Sequence, residues 1–232
     1  MTRDSREKQF DIIKNYEKVS LELVERYSKL EESASINECL KVNGAMNHDI
    51  RPVWPGSRIC GRALTVCCRA GDNLMLHKAI SMAQPGDVIV INCDGFVEAG
   101  GMWGGIMSNA AQTMGAVGMI TDGAVRDTMM MKEINFPVFS RGISVKRSTK
   151  AVGGTINHPI IVGGVLVNPG DLVFADNDSI VVVPWKQAEE VYALAIAREE
   201  HEDRTLARVK TDGTVTYQTF QKEFEALHLS EE

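Results

Sequence analysis

An arginine and an aspartate stand side by side in TDGAVRD, residues 121–127, directly after the apolar run VGMIT. Arg126 offers a planar guanidinium that matches a carboxylate, and Asp127 offers the hard oxygen ligands that a divalent cation prefers. Gly123 predicts a sharp turn out of the strand. This pattern is typical of a small-anion site with a cation, but an Arg–Asp pair after a turn is more often a surface ion pair or a helix cap.

A second stretch, GGMWGGIMSNAA, places glycines at positions 100, 101, 104 and 105 ahead of a helical pattern that starts near Ile106. Glycines leave main-chain N–H groups bare, and the first N–H groups of a helix attract a carboxylate or a phosphate. A glycine loop alone is a weak signal. Because both stretches follow apolar strands of one α/β unit, we expect them to converge on one ligand at the carboxyl ends of the strands.

Alternating strands and helices are predicted around these loops. The runs RICGRALTVCCRA, VIVINC, VGMIT and FPVFSRG are typical of strands, and GDNLMLHKAISMA and DTMMMKEIN are typical of the helices between them. After Gly154, three apolar runs separated by Gly-Gly and Asn-Pro-Gly-Asp predict a β-rich segment. Residues 185–209 predict a long helix, and the fold class is α/β.

Two helices are predicted before the α/β part. Residues 10–30 have an amphipathic pattern, and SINECLKV predicts a helix that starts at Ser35, with Glu38 completing a capping box. No linker marks a firm boundary, so we divide the chain by pattern alone. The division is an N-terminal helical segment (1–50), an α/β domain with a C-terminal helix (51–209) and a polar tail (210–232).

The composition of the chain indicates which classes of binding partner and which cellular location to expect. A formal net charge of -6 argues against nucleic acid and favours small molecules or proteins. No apolar run approaches the ~20 residues that cross a bilayer, and the charged start MTRDSREKQF is unlike a signal peptide. The five cysteines are odd in number and lack zinc-type spacing, so we expect reduced thiols in a cytoplasmic protein.

Other candidate sites are weaker. His77 and His158 have no second histidine at metal-ligand spacing, and Asp171, Asp176 and Asp178 lack the calcium-loop spacing of the EF-hand and are interpreted as turn formers. The methionines at 129–131 are assigned to packing. A GxSxG motif is absent, which disfavours acyl-enzyme chemistry.

In order along the chain, these motifs resemble the RraA-like family, which includes the 4-hydroxy-4-methyl-2-oxoglutarate aldolases. The resemblance covers most of the chain, and it is carried by the succession IRPVWPGSRICGRALTV, GDNLMLHKAI, QPGDVIVIN, WGGIMSNAAQTMGAVGMITDGAVRD, FPVFSRG, GGVLVNPGDLVFADNDSIVVVP and AREEHED. It implies a layered α/β/β/α sandwich similar to the swivelling phosphohistidine domain, with N- and C-terminal helical extensions. It also implies a homotrimer or a homohexamer.

The same resemblance implies roles for individual residues. Asp127 is the expected ligand of Mg²⁺ or Mn²⁺, and Arg126 is expected to contact the substrate. Main-chain groups are expected to grip the substrate carboxylate at Gly104, Gly105, Ile106 and Met107. Glu202 is expected to complete the site of an adjacent subunit, with Glu199 and Glu200 as alternatives.

The function implied is that of a divalent-metal-dependent carbon–carbon lyase acting on a small 2-oxo acid. Aldol cleavage of a 4-hydroxy-4-methyl-2-oxoglutarate-type substrate and decarboxylation of oxaloacetate would both release pyruvate. One departure bears on the reaction, because the aldolases of the family carry an acidic residue where this chain has Gly105. The alternative function is that of a non-catalytic protein that binds and regulates a ribonuclease.

Overall fold

The computed structural model describes residues 11–229. Its strands are β1 (Arg51–Pro52), β2 (Ile59–Cys67), β3 (Asp87–Asn92), β4 (Gly101–Trp103), β5 (Gly118–Val125), β6 (Val138–Ile143), β7 (Thr155–Ile156), β8 (Ile160–Val162), β9 (Val165–Val167), β10 (Leu172–Ala175) and β11 (Ile180–Val183). Its helices are α1 (Leu21–Tyr27), α2 (Ser33–Glu38), α3 (Leu74–Ile80), α4 (Gly105–Thr113), α5 (Thr128–Glu133), α6 (Ala188–Val209), α7 (Val215–Thr219) and α8 (Gln221–Ala226).

One sheet unites the strands on both sides of the two candidate loops. Its order is β1-β6-β5-β3-β2-β10-β11, with β4 added beside β5 and β7 beside β2. The pairs β2–β3, β3–β5, β4–β5 and β5–β6 are parallel, whereas β1, β7, β10 and β11 pair antiparallel. Strands β3 and β5 lie inside the parallel part and are buried almost throughout, as expected of a sheet covered on both faces.

The predicted alternation of strands and helices is confirmed. Helix α3 connects β2 to β3, α4 connects β4 to β5, and α5 connects β5 to β6. The long helix predicted at residues 185–209 is confirmed as a 3-10 turn at Trp185–Gln187 followed by α6. The fold is therefore mixed α/β, while the likeness to a phosphohistidine domain stays a prediction.

The β-rich segment contains more strands than its apolar runs indicate. The run after Asn168 is divided into β10 and β11, because the Asp176 carboxylate accepts hydrogen bonds from the backbone N–H groups of Asp178 and Ser179 and closes a hairpin. Asp171 accepts hydrogen bonds from the backbone N–H groups of Asn168 and Trp185. Both aspartates thus act as turn formers.

The amphipathic helix predicted at residues 10–30 is wrong over its first part. Residues 13–20 are not helical, because their backbone pairs with other segments: Ile13 N–H donates to Ile156 O (3.1 Å) and Val19 N–H donates to Gly170 O (3.1 Å). The helix begins only at Leu21, where the Ser20 hydroxyl accepts a hydrogen bond from Leu23 N–H. Phe10, the charged first residues and residues 230–232 lie outside the described part.

The second predicted helix also starts elsewhere. Helix α2 begins at Ser33 rather than Ser35, and it has no side-chain cap. The two expected capping residues instead face α6: the Ser35 hydroxyl donates to Glu202 Oε2 (3.0 Å), and Glu38 pairs with Arg198. The tail, predicted to be weakly periodic, forms the short helices α7 and α8. Within residues 11–229, no helix combines the length and apolar character that a membrane span requires.

Candidate active site

Parallel pairing of β4 with β5 brings the two candidate loops together. Gly101 pairs with Ala124 and Trp103 with Val125, and beyond the strand Arg126 N–H donates to Trp103 O at 2.9 Å. Both strands therefore end at the same edge of the sheet. The loop at Gly104 and the loop at Arg126–Asp127 are neighbours, as the sequence predicts.

The turn that presents the Arg–Asp pair is not at Gly123, and that prediction is wrong. Strand β5 continues through Gly123 to Val125, with an irregularity in its pairing with β6 between Thr121 and Ala124. A Cβ at position 123 would lie 2.3 Å from Cys93 Sγ, so the glycine allows close packing rather than a turn.

The chain turns instead at Asp127, which has a left-handed backbone (φ 62°, ψ 37°). Aspartate is one of the few residues besides glycine that adopt this conformation readily. Although Asp127 precedes α5, its carboxylate does not cap that helix. Asp127 Oδ2 accepts a hydrogen bond from Gly105 N–H (3.1 Å), the first residue of α4, and lies 3.9 Å from Arg126 Nε. The Asp127 carboxylate thus bonds to the start of a different helix, α4, and does not cap its own helix α5.

Glycine at position 104 allows the Asp127 carboxylate to lie close to the backbone at the start of α4. A Cβ there would lie 2.6 Å from Asp127 Oδ2 and 3.4 Å from Arg126 Cγ. Gly105 N–H is occupied by Asp127, and the next N–H groups, those of Ile106 and Met107, have no acceptor within the helix because they belong to its first turn. These two N–H groups and the positive end of α4 are suited to a carboxylate.

Trp103 anchors the start of α4. Its buried indole N–H donates to Ser108 Oγ (2.7 Å), and its ring stacks on Phe136 with a centroid distance of 6.4 Å. Ser108 Oγ in turn donates to Gly104 O (3.2 Å). Sequence reasoning missed this anchor, because nothing local to Trp103 shows that Ser108 is its partner.

The methionines after Asp127 are not all packing residues, which corrects their assignment. Met131 is fully buried, but Met129 is 69% exposed and Met130 is 43% exposed. The exposed Ile106 lies beside Gly105, on which Met130 packs. The site therefore has charged groups at its base and an apolar rim, a feature that the sequence reading did not include.

Arg126 and Asp127 have the exposure and chemistry of a ligand site. Their side chains are 41% and 47% exposed, and Asp127 Oδ1 makes no hydrogen bond with any residue in the range 11–229. In that range no cluster of three or more His, Cys, Asp or Glu side chains is suited to a metal ion. Mg²⁺ commonly binds one or two carboxylates and fills its other positions with water and substrate oxygens, so the single Asp127 carboxylate fits such an ion.

Glu202 lies elsewhere in the chain. It accepts a hydrogen bond from Ser35, pairs with Arg198 Nε at 2.9 Å, and makes no hydrogen bond or ion pair with the two loops among the residues described. Of the two alternatives, Glu199 accepts a hydrogen bond from Glu31 N–H (2.7 Å) and Glu200 lies 4.0 Å from Arg204. The three glutamates thus contact residues of α2, of α6 or of the segment just before α2.

A second polar cluster, at the end of β3 and the neighbouring part of β5, is structural. The buried Asp122 carboxylate accepts hydrogen bonds from Cys93 N–H (2.8 Å), from Cys93 Sγ (3.1 Å) and from Asn92 Nδ2 (3.2 Å). Burial, together with the Asp122 charge, raises the pKa of the Cys93 thiol far above its ordinary value. Cys93 therefore stays protonated and is not suited to nucleophilic chemistry.

Comparison with known proteins gives one matching family model and a similar sequence. Residues 32–182 match the family model described as "RraA-like: Aldolase/RraA". A protein from Halalkalibacterium halodurans named "Putative 4-hydroxy-4-methyl-2-oxoglutarate aldolase" is 37% identical over 171 residues, which cover 74% of this chain and 80% of that protein.

Two solved structures have a similar fold. An uncharacterized protein from Pseudomonas syringae pv. tomato is 28% identical with a TM-score of 0.74, over 87% of this chain and 98% of that chain. RraAS2 from Streptomyces coelicolor, described as an unusual member of the RNase ES inhibitor RraA protein family, is 26% identical with a TM-score of 0.73. That match covers 82% of this chain and all of the other.

Proposed function

This chain belongs to the RraA-like family, and on that premise we propose that it is a divalent-metal-dependent lyase. Its substrate is a small 2-oxo acid, and its product is pyruvate. The relative from Halalkalibacterium halodurans supports aldolase chemistry. The single observation that carries the proposal is the Asp127 carboxylate held against the start of α4, with Arg126 beside it.

Each group in this arrangement has a task that its chemistry allows. Asp127 would hold Mg²⁺ or Mn²⁺, which supplies positive charge where negative charge develops on the substrate. The N–H groups of Ile106 and Met107 bind the substrate carboxylate at the helix start. The Arg126 guanidinium neutralises the oxygen of the developing enolate.

The reaction breaks the bond between C3 and C4 of the 2-oxo acid. The electron pair of that bond moves to C3 and forms the enolate of pyruvate. The C4 fragment leaves as a carbonyl compound when a C4 hydroxyl loses its proton, or as carbon dioxide when C4 is a carboxylate. The enolate then takes a proton at C3 and leaves as pyruvate.

We further propose a homotrimer or a homohexamer in which Glu202 completes the site of a neighbouring subunit. The contacts of Glu202 in its own chain are with α2 and α6 rather than with the two loops. The exposed apolar side chains of Ile106 and Met130 at the rim are consistent with cover by another subunit.

The test is a coupled lactate dehydrogenase assay that measures pyruvate release from 4-hydroxy-4-methyl-2-oxoglutarate and from oxaloacetate, with Mg²⁺ or Mn²⁺ and with EDTA. Asp127→Asn is the variant of choice, because asparagine tolerates the left-handed backbone at this position while it removes the charge. We expect activity to fall at least ~100-fold with an unchanged melting temperature.

Asp178→Asn is the matched control, because Asp178 is exposed in the β10–β11 turn and is expected to keep full activity. Unchanged turnover in Asp127→Asn, or full activity of the wild type in EDTA, would refute the proposed function.

A non-catalytic regulator is the second candidate, and the likeness to the inhibitor-family structure from Streptomyces coelicolor favours it. A protein-binding role alone does not require a half-exposed carboxylate bonded to a helix start beside an arginine. Capture of a purified ribonuclease by this protein, with no pyruvate released from either substrate, would support the regulator.

A further inference from the structure

Met130 fills the space into which any side chain at position 105 would extend. A Cβ built on Gly105 would lie 2.3 Å from Met130 Sδ and 3.0 Å from both Met130 Cβ and Cγ. Real Cβ atoms essentially never lie 2.3 Å from another atom, so a side chain at 105 requires the flexible end of the Met130 side chain to move. Because Met130 is on α5, one helical turn after Asp127, its thioether forms the wall of the site on that side.

The wall is apolar and cannot exchange protons. A thioether sulfur is only a weak hydrogen-bond acceptor, and it carries no proton. Within this chain, the carboxylate that the two loops bring to the site is Asp127, whose Oδ2 is already bonded to Gly105 N–H. The chain therefore supplies no second acid or base next to Asp127 from position 105.

We propose that Met130 is a specificity-determining residue that directs this site toward decarboxylation and away from aldol cleavage. This inference rests on the proposed function. Aldol cleavage needs a base that removes the proton of the C4 hydroxyl before the C3–C4 electron pair moves to C3. Decarboxylation moves the same electron pair and releases carbon dioxide from an ionised C4 carboxylate, so it needs no base. A site with a thioether at this wall therefore favours a 4-carboxy-2-oxo acid such as oxaloacetate.

The experiment compares wild type, Gly105→Asp, Met130→Ala and the double variant Gly105→Asp/Met130→Ala. The measurement is kcat/KM for aldol cleavage divided by kcat/KM for decarboxylation. We expect this ratio to rise at least ~10-fold in the double variant and to change less than ~3-fold in either single variant. The reason is that the carboxylate introduced by Gly105→Asp can act as a base only where Met130→Ala has made space for it. Gly105→Asp/Met130→Leu is the matched control, since leucine keeps the wall filled, and it should behave like Gly105→Asp.

Binding of Mn²⁺, followed by electron paramagnetic resonance of the free ion, gives a readout independent of turnover. A second carboxylate near Asp127 should tighten Mn²⁺ binding about 10-fold in Gly105→Asp/Met130→Ala but not in Gly105→Asp. Melting temperatures test only whether Met130 blocks a side chain at position 105. Gly105→Ala should lower the melting temperature by ~3 °C or more in wild type and by clearly less in the Met130→Ala background.

Two results would overturn the role of Met130: Gly105→Ala lowering the melting temperature equally in both backgrounds, or a folded double variant with tighter Mn²⁺ binding and an unchanged reaction ratio. Should the double variant not fold, the comparison of Gly105→Ala in the wild-type and Met130→Ala backgrounds still decides whether Met130 blocks a side chain at position 105. If no variant and no wild-type sample releases pyruvate from either substrate, the proposed function fails. Pyruvate release with an unchanged ratio refutes only the assignment of Met130.

Discussion

Gly104 is the residue on which the position of the Asp127 carboxylate depends most directly. We expect Gly104→Ala to displace Asp127 Oδ2, since the new Cβ would lie 2.6 Å from it, and to lower metal-dependent pyruvate release at least ~10-fold. The fold should survive, because the backbone at 104 is extended (φ -150°) and accommodates alanine. Kinetics and a melting curve measured side by side separate the two effects.

Gly153→Ala serves as the control for this prediction, because a Cβ at 153 would meet nothing within 4 Å. It should keep both the activity and the melting temperature of the wild type. Full activity in Gly104→Ala would show that the carboxylate does not need its present position.

At the scale of single residues, some features of the candidate site could be predicted from the sequence and others could not. Arg126 and Asp127 could be selected from residue type and from their place after an apolar run. The turn could not be located, because glycine serves both as a hinge and as a site of close packing. At Gly123 the deciding neighbour is Cys93, which is distant in sequence. Met130 was hidden for the same reason, since its contact with Gly105 joins two different helices.

At the scale of elements, Asp72 fastens a loop to the start of α3. Its buried carboxylate accepts hydrogen bonds from Leu74 N–H (3.0 Å), Thr149 Oγ1 (2.7 Å), Ala151 N–H (2.7 Å) and Val152 N–H (3.3 Å). The same loop supports β4, because Gly101 N–H donates to Lys146 O at 3.1 Å. The loop therefore connects α3 with the strand that leads into the candidate site.

We expect Asp72→Asn to lower the free energy of unfolding by about 2 kcal/mol at neutral pH, because hydrogen bonds to a charged acceptor are stronger than those to an amide. Burial acts to raise the pKa of Asp72, but the four hydrogen bonds outweigh it and hold the pKa below its ordinary value of 3.8. The stabilisation is thus present above about pH 3.8 and is lost as the pH falls through the lowered pKa.

Urea unfolding of wild type and Asp72→Asn across this pH range tests the element-scale prediction. The difference between the two proteins should be constant above about pH 4 and shrink at lower pH. A difference that does not depend on pH would mean that the charge of Asp72 contributes nothing.

Elements within the α/β alternation and the long helix α6 could be predicted from the sequence, whereas the extended segment before α1 could not. Apolar runs identified β3 and β5, because strands buried on both faces give such runs whatever their partners, and alternating and β-branched residues identified β2. The segment before α1 has apolar residues at helical intervals, yet its backbone bonds to Ile156 and Gly170. Those partners are far away in the sequence, so no local pattern indicates them.

At the scale of the whole molecule, the division of the proposed site between two copies of the chain can be tested by mixing. Asp127 and Arg126 are on adjacent positions of one loop, whereas Glu202 contacts α2 and α6 residues of its own chain. If Glu202 serves a neighbouring subunit, a site needs Asp127 from one copy and Glu202 from another. Asp127→Asn and Glu202→Gln should then each be inactive alone and complement each other when combined.

In oligomers formed by co-expression of Asp127→Asn and Glu202→Gln in equal amounts, about one quarter of the sites should contain both intact groups. Activity should therefore recover to about a quarter of the wild-type value. Co-expression of Asp127→Asn with Arg126→Gln is the control. Both residues of a site come from the same chain, so no site in this mixture has both of them intact. No recovery in the first mixture, or wild-type activity of Glu202→Gln alone, would refute a site shared between two chains. Recovery only in the first mixture would make assembly a condition of catalysis, because no single chain then holds all the groups of one site.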